Sequence, residues 1–359
     1  MDNFCSQAYT SKGLVSLKSR AADIKFTYIM KGYPDSLKRF FLKKLLTSAD
    51  SCFNAAYDYN NSPVCLYCRE KNFQIVDGTY PLTAEPETYG ITDTIIDLSA
   101  FQNLQKLTEK RDIAANLFKS IKKEEKRCRD FISAAKGISD DCRRHESQYI
   151  DRSSLNRFAS RLWKRYGTPP SGRVGTETKY FADALSGYGM SFNFEKFSSM
   201  CKTVSVINDF SSVVSVSVAD KIRLYALSSG FDVISFVDFL DAETVRHVII
   251  PELEYGIYSA RFSEDGNFEN CRKIRKSRFL SRESSEYIKN RSSFCKKAYS
   301  EFISEAANSI KAIENLKNRL DKIYLSATDI NRFIFNNEQK VTGIDKSLQK
   351  VYNGDNCCI

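Results

Sequence analysis

Apolar and polar positions divide the chain into two stretches of similar build. Ile24-Lys-Phe-Thr-Tyr-Ile-Met30, ending at Lys31-Gly32 and preceded by the shorter run Gly13–Leu17, predicts a strand that feeds a turn. From Ser36 to about Ala55, Phe40, Phe41, Leu45 and Leu46 recur at helical spacing with Lys38, Arg39, Lys43 and Lys44 between them, which predicts a helix. Past the polar break Asp58–Pro63, the runs Val64–Tyr67 and Phe73–Asp77 predict two short strands. Residues 100–165 are almost free of glycine and proline. Leu104, Leu107, Ile113, Leu117, Ile121, Phe131, Ile132 and Ile138 give them an apolar stripe, so they read as an antiparallel helical pair whose stripe is packing. Trp163, the sole tryptophan, falls near the end of this region and reads as core or interface.

Thr168-Pro-Pro-Ser-Gly-Arg-Val-Gly175 is rich in turn formers and predicts a linker. Beyond it the order starts again. Val204–Ile207 reads as a strand, a helix runs to about Ser228, and Val233–Val237, Val248–Ile250 and Tyr255–Tyr258 read as strands. A second helical region covers 280–353. The expected partition is a first unit at 1–167 (α/β 13–99, helical 100–167), a linker at 168–175 and a second unit at 176–359 (α/β 176–265, helical 280–353).

Direct comparison of the halves supports duplication. Tyr149 is followed at seven residues by Asn156-Arg157-Phe158 and Tyr324 by Asn331-Arg332-Phe333, which sets an offset of 175 between the halves. Phe131-Ile-Ser-Ala-Ala answers Phe302-Ile-Ser-Glu-Ala-Ala at 171, Gly32 corresponds to Asp209 at 177, and Asp77 to about Ser259 at 182.

Composition narrows the classes. A length of 359 residues accommodates two cores, and 42% apolar with 27% charged residues describes a globular chain. The net charge of +10 invites a nucleic-acid reading, but the basic residues are interspersed with acids along helical segments, so that partner is possible and not favoured. The start has neither a basic segment nor an apolar run, and no stretch approaches the ~18 apolar residues of a membrane span, so no membrane is expected. Eleven scattered cysteines then read as thiols in a reducing cytoplasm. Cys65-Leu-Tyr-Cys68 has the spacing of a zinc pair, but with no second pair and only His145 and His247 in the chain no metal site is expected. Cys357-Cys358-Ile359 falls one residue short of a prenylation box, because Asn356 stands where its cysteine belongs.

The chemistry-bearing stretch is Gly32-Tyr-Pro-Asp-Ser36-Leu-Lys38-Arg39. A P-loop, G-x-x-x-x-G-K-[ST], closes backbone N–H groups on phosphates, extends its lysine to the outer phosphates and holds magnesium with its hydroxyl. Gly32 and Lys38 fit; Leu37 replaces the second glycine and Arg39 the hydroxyl residue. Gly32, Ser36, Lys38 and Arg39 are therefore the candidate nucleotide-binding residues. Asp77, at the end of a strand, is either the magnesium-organising acid of such a fold or a turn aspartate before Gly78. In the second half Asp209 stands at the glycine position and Ser215 at the lysine position. With Ser212 and Ser217 they make up a degenerate second loop, in which an aspartate repels phosphate.

These residues resemble a bacterial tandem P-loop ATPase family, whose chains carry two Walker A loops, each in an α/β unit. The match runs through Ile29-Met-Lys-Gly32-Tyr-Pro34, Leu42-Lys-Lys-Leu45, Val76-Asp-Gly-Thr-Tyr-Pro-Leu82 and Tyr89–Leu98. In the second half it runs through Thr178–Gly189 and Val248-Ile-Ile-Pro-Glu-Leu253. The resemblance implies two tandem P-loop NTPase-like units, each with a parallel-sheet core and an appended long helical hairpin. It also marks the departures: Leu37, Arg39, Leu82 where the family has histidine, and nearly all of the second loop. The expected function is a non-hydrolysing pseudo-ATPase acting as a scaffold with an unidentified protein partner. The alternatives are a regulator that binds ATP without magnesium through the first loop, and a nucleic-acid binder.

Overall fold

The computed structural model describes residues 4–17, 24–47, 53–166, 172–262, 268, 271–281 and 285–338. In chain order the elements begin with β1 (Gln7–Thr10), β2 (Gly13–Ser16), β3 (Phe26–Lys31), α1 (Asp35–Leu46), β4 (Asn54–Tyr57), β5 (Pro63–Cys68), β6 (Phe73–Asp77) and β7 (Asp93–Asp97). A 3-10 turn at Leu98–Phe101, α2 (Leu104–Thr108), α3 (Arg111–Ser147) and α4 (Arg152–Trp163) follow. Next come β8 (Glu177–Phe181), β9 (Ala184–Ser186), β10 (Gly189–Ser191), α5 (Phe194–Ser199), β11 (Thr203–Asn208) and α6 (Val213–Ser228). After these lie β12 (Val233–Asp238), β13 (Asp241–Ile250), β14 (Tyr255–Ala260), β15 (Cys271–Arg275), a 3-10 turn at Lys276–Phe279 and α7 (Ser285–Leu325). Residues 330–338 are helical again.

The architecture is mixed α/β, with two main sheets that share one plan. The first has the order β4-β5-β6-β3-β7; the second has β12-β13-β14-β11-β15, with β8 added beyond β12. In each, the strand before the first helix lies between two parallel neighbours, and an antiparallel hairpin extends one side. The cores are thus mixed rather than purely parallel. Register repeats as well: Met30 faces Asp77 as Ile207 faces Ser259, and Lys31 faces Asp97 as Asn208 faces Arg275. The middle strands are β-branched and aromatic runs; β12, Val-Ile-Ser-Phe-Val-Asp, is buried at every position. α6 carries apolar residues on all sides and buries Val214, Val218, Ala219 and Ile222.

Three local expectations change. α1 stops at Leu46 instead of reaching Ala55, and Asn54–Tyr57 is a strand paired with β5 that puts Ala55 and Ala56 in the core. Residues 100–165 do not fold back on themselves. α3 runs 37 residues, and its buried positions Leu117, Ile121, Cys128, Ile132, Ala135, Ser139 and Cys142 continue along one face at steps of three, four or seven residues with no turn to reverse them. Leu104 and Ile113 lie outside that seam and are exposed.

The partner of α3 is α7. Two compact units result, and they interleave the halves: one comprises residues 1–2, 18–123 and 313–359, the other 3–17 and 124–312. The consecutive division at 167 and 176 follows the sheets but not these units, because each hairpin takes one arm from either half. In the second unit, Arg291 pairs with Asp141 and Arg127 lies 3.6 Å from Glu305, which sets α3 and α7 antiparallel. In the first, Lys110 Nζ donates to Ser326 Oγ at 3.3 Å and Asn103 N to Ala327 O at 2.8 Å.

The short helices after α3 and α7 are exchanged in the same way. α4 belongs to the second unit, where Ser160 Oγ meets Tyr225 OH at 3.2 Å; half-buried Trp163 stacks on Tyr225. Helix 330–338 belongs to the first, where Phe333 is fully buried against Phe41. Asp151 N donates to Phe279 O and Asp329 N to Phe101 O, both at 2.8 Å, so these two aspartates correspond and the offset here is 178. The Asn-Arg-Phe correspondence at 175 is therefore displaced by one helical turn, since Phe158 comes seven residues after its capping aspartate and Phe333 four. The 171 offset of the Phe131 stretch has no counterpart in this pairing.

Residues 168–171 of the expected linker, 263–265 of the second α/β region, 339–353 of its helical region and the C-terminal Cys357-Cys358-Ile359 lie outside the described residues. Arg173 Nε donates to Gly230 O at 2.9 Å, so the end of the linker is packed. Cys68 is disulfide-bonded and Cys65 is a buried thiol, so the reading of the pair as two thiols holds for Cys65 alone. Among the described residues no helix is long and apolar enough to cross a membrane, and no group of three His, Cys, Asp or Glu side chains could hold a metal.

Candidate functional site

Ligands of open α/β sheets bind at the carboxyl ends of the parallel strands, where a strand turns into a helix. In the first unit that turn is Gly32-Tyr-Pro34. Gly32 has φ +90, and a β-carbon there would meet nothing nearer than the Leu98 side chain at 3.5 Å, an ordinary contact, so the dihedral is what requires glycine. Tyr33 O accepts from Gln102 Nε2 at 2.6 Å, and the Tyr33 ring stacks on Tyr324 with centroids 5.2 Å apart. α1 begins at Asp35, so only three residues separate strand from helix. A phosphate-wrapping loop would keep residues 35 and 36 out of the helix.

The first amides of α1 would offer a phosphate their N–H groups. They already hold an anion: Asp321 of α7 accepts from Asp35 N at 3.1 Å and from Ser36 N at 2.8 Å, one carboxylate oxygen on each. Burial raises the Asp321 pKa; the hydrogen bonds from Ser36 oppose that and the charge of Asp35 adds to it. Ser36 is exposed and serves this carboxylate.

Lys38 is fully buried. Its ammonium reaches Asp77 Oδ1 at 2.8 Å, Thr79 Oγ1 at 2.8 Å and Asp35 Oδ1 at 2.9 Å, so three donors meet three oxygens. Burial alone would depress its pKa, but the charges of Asp77 and Asp35 overrule it and the pKa is raised. Asp35 shows the converse: burial pushes its carboxyl up, the Lys38 charge and hydrogen bond pull it down, and the net shift is downward. Asp77 also accepts from Thr79 N at 3.1 Å, the geometry of a turn aspartate.

Arg39 leaves the site. Its Nη2 lies 2.9 Å from Asp58 Oδ2, and Asp58 in turn caps Asn60 N and Ser62 N. Leu37 points away from any phosphate position into the core with Met30, Phe41 and Leu42. The structure thus unites Lys38 with Asp77 and sends Arg39 elsewhere. Asp35, Thr79, Asp58 and Asp321 are missed by sequence reasoning. Asp77-Gly-Thr79 hints at Thr79, whereas Asp321 comes from 285 residues away with no local signature.

The second unit closes the same position by other means. Asp209, at the place of Gly32, turns its own carboxylate onto the start of α6, accepting from Val214 N at 2.8 Å and Ser215 N at 3.2 Å. Its other oxygen accepts from Ser211 Oγ at 2.7 Å and lies 3.2 Å from Lys276 Nζ, which also pairs with Glu146. Aspartate at this position binds the helix N-terminus itself, so its role goes beyond repelling phosphate. Burial acts to lower the Lys276 pKa, but Asp209 and Glu146 outweigh it and raise it. Ser212 adopts φ +60 and ψ 16, a left-handed conformation costly for a residue with a β-carbon. Ser217 bonds the Val213 carbonyl of its own helix at 2.7 Å and takes no part in the site.

Ser215 and Ser259, the positions of Lys38 and Asp77, touch again: their hydroxyls are 2.7 Å apart. An ion pair in one unit is a hydroxyl pair in the other. Around it the strand ends carry buried charge. Arg246 pairs with Asp183 and donates to Ser259 O at 3.0 Å; Arg261 meets Asp238 at 2.5 Å and donates to Tyr299 OH. Burial and the Arg246 and Arg261 charges hold His247 well below its ordinary pKa; its Nδ1 accepts from Ser259 N at 3.0 Å, so the imidazole is neutral. The chain matches no protein-family model, no curated protein and no solved structure.

Proposed function

We propose that this chain is a non-hydrolysing protein built on two tandem P-loop-like units, a degenerate relative of the tandem P-loop ATPases, acting as a scaffold for a protein partner. The observation that carries the reading is that the chain's own carboxylates occupy the helix N-termini in both units. Asp321 sits on the amides of Asp35 and Ser36, and Asp209 on those of Val214 and Ser215. Lys38, the one P-loop cation retained, has its three donors satisfied. Catalysis of phosphoryl transfer needs a cradle, a free lysine and a metal to absorb developing charge, and Arg39 supplies no oxygen for magnesium.

Isothermal titration of the full chain with ATP, once with magnesium and once with EDTA, tests the reading together with a phosphate-release assay. No heat of binding in either titration and no release above background are expected. Saturable heat with EDTA that disappears in K38A would favour the ATP-binding regulator. Magnesium-dependent turnover that disappears in K38A would overturn the proposal.

A further inference from the structure

From Ser147 to Thr176 the sequence carries six basic residues, Arg152, Arg157, Arg161, Lys164, Arg165 and Arg173, against one acid, Asp151. α4 sorts four of them onto its outer face. At about 100° per residue, Arg157, Arg161 and Lys164 fall within an arc of about 60°, and Arg165 lies about 40° beyond it. The arc lies roughly opposite the buried seam of Leu155, Phe158, Ala159 and Leu162 and runs about 12 Å along the helix. Arg278, on the 3-10 turn packed beside α4, lies over the Phe158 ring, 5.4 Å from its centroid, and widens the ridge across a second element. Arg157, Arg161, Lys164, Arg165 and Arg278 are all exposed, and all belong to the second unit.

A solvated helix face ordinarily sets an acid three or four residues from a cation. The positions three and four residues from Arg157 and Arg161 hold serine, phenylalanine or another cation, so Arg157–Arg161, Arg161–Lys164 and Arg161–Arg165 are like-charged neighbours. Asp151 caps the start of the helix, accepting from Ser153 N and Ser154 N, both at 3.0 Å. On the elements around α4, Asp220 pairs with Arg223, Asp232 and Glu252 with Arg173, Glu254 with Lys202, and Glu146 with Lys276. Among the described residues none of the five ridge cations has an ion-pair partner. The helix dipole favours cations at the C-terminal end, where Arg161 and Lys164 stand, but it accounts for neither Arg157 nor Arg278. A ligand carrying a row of negative charges turns this repulsion into attraction. We propose that the ridge binds the phosphate backbone of duplex nucleic acid, independently of sequence. Four of its five cations are arginines, whose forked donors match phosphate oxygens. The face carries no large apolar side chain to enter a lipid surface, its companions being Ser153, Ser154 and Ser160. Trp163 and Tyr166 stack on Tyr225 and Tyr255, so neither ring stands out to take an unpaired base.

The test is fluorescence anisotropy of the full chain with a labelled mixed-sequence DNA duplex. With five phosphates neutralised, the log–log salt slope should be about −4.5, and affinity should fall about five hundredfold between about 50 and 200 mM salt. The variant R157Q/R161Q/K164Q/R165Q/R278Q should lose at least about tenfold at the lower salt and show a flatter slope. A control with the same charge loss on the two long helices of the unit, K126Q/R129Q/K289Q/K297Q/K311Q, should change affinity less than about threefold. Phenylglyoxal footprints of the unmodified chain should show Arg157, Arg161 and Arg165 protected by the duplex. The proposal fails if the unmodified chain leaves the anisotropy unchanged at low salt, if both variants weaken equally, or if those arginines stay unprotected. Competition by polyglutamate as strong as by unlabelled duplex of equal charge would assign the ridge to an acidic protein and overturn it. Binding to phosphatidylserine vesicles but not to the duplex would overturn it too.

Discussion

Lys38→Met separates a lysine kept for phosphate from one kept for the fold. In an open phosphate site the ammonium faces solvent, and its removal changes stability by less than about 0.5 kcal/mol, as surface substitutions do. Here the ammonium is fully buried and bridges Asp35 and Asp77 at 2.9 and 2.8 Å. Removing one partner of such a group leaves carboxylates without their counter-charge, at a cost of about 3–5 kcal/mol. Water reaches the Asp35 and Asp77 side chains, which are 23% and 14% exposed, so the lower end of that range applies, about 3 kcal/mol. Urea unfolding followed by far-UV circular dichroism should show the midpoint falling by about 1–2 M.

The pH dependence adds a signed check. Lys38 lowers the folded-state pKa of Asp35, so this stabilisation is present above the unfolded carboxylate value of about 3.9 and disappears as pH falls through the lowered folded value. Lys38 itself is raised, so its share is present below about 10.4 and disappears only as pH rises through the raised value. The gap between wild type and K38M should therefore be widest around neutrality and close on acidification. A midpoint shift worth less than about 0.5 kcal/mol, the scale of a surface substitution, or a gap independent of pH, would refute the structural role of Lys38.

Asp321 titrates in the opposite sense. Burial raises its folded-state pKa, so the stability linked to its proton is present below about 3.9 and lost as pH rises through the raised value. Measured by urea midpoints from about pH 4 upward, the stability of wild type minus that of D321N should decrease with rising pH; an increase would show the carboxylate is not desolvated. At φ +60 Ser212→Gly relieves a left-handed strain of about 1–2 kcal/mol and gives up only a long 3.5 Å contact to Asp209 O. A rise in thermal midpoint is expected, and a fall would mean that the hydroxyl matters more than the dihedral.

The strands were legible because their signals are local. Val-Ile-Ser-Phe-Val at 233–237 reads as buried strand without its neighbours, and so does Phe-Gln-Ile-Val-Asp at 73–77. Gly32, Lys38 and Asp77 were legible as positions, and Lys38 does meet Asp77. Their use was not legible, because it depends on Asp321 and Thr79. The hairpin arms were misread for a related reason. Spacing shows that α3 has an apolar seam, but not whether the helix covering that seam comes from the same half or the other.

The two closed positions differ in where the carboxylate originates, and that difference bears on how the closure is maintained. In the second unit Asp209 belongs to the turn it caps, so the residue at the position of Gly32 itself supplies the anion. In the first unit that position is Gly32, and the anion arrives on α7 from the other half of the chain. At the offset of 178 that relates Asp151 to Asp329, the α3 residue answering Asp321 is Arg143, whose Nε donates to Ser211 O at 3.4 Å. A cation there suits a turn that already holds a carboxylate, just as an anion suits a turn that keeps glycine and lysine. The exchanged helices thus carry charges matched to the turn they cover. This ties closure of the first unit to the second half of the chain and makes the exchange part of the candidate site rather than a feature of the scaffold around it.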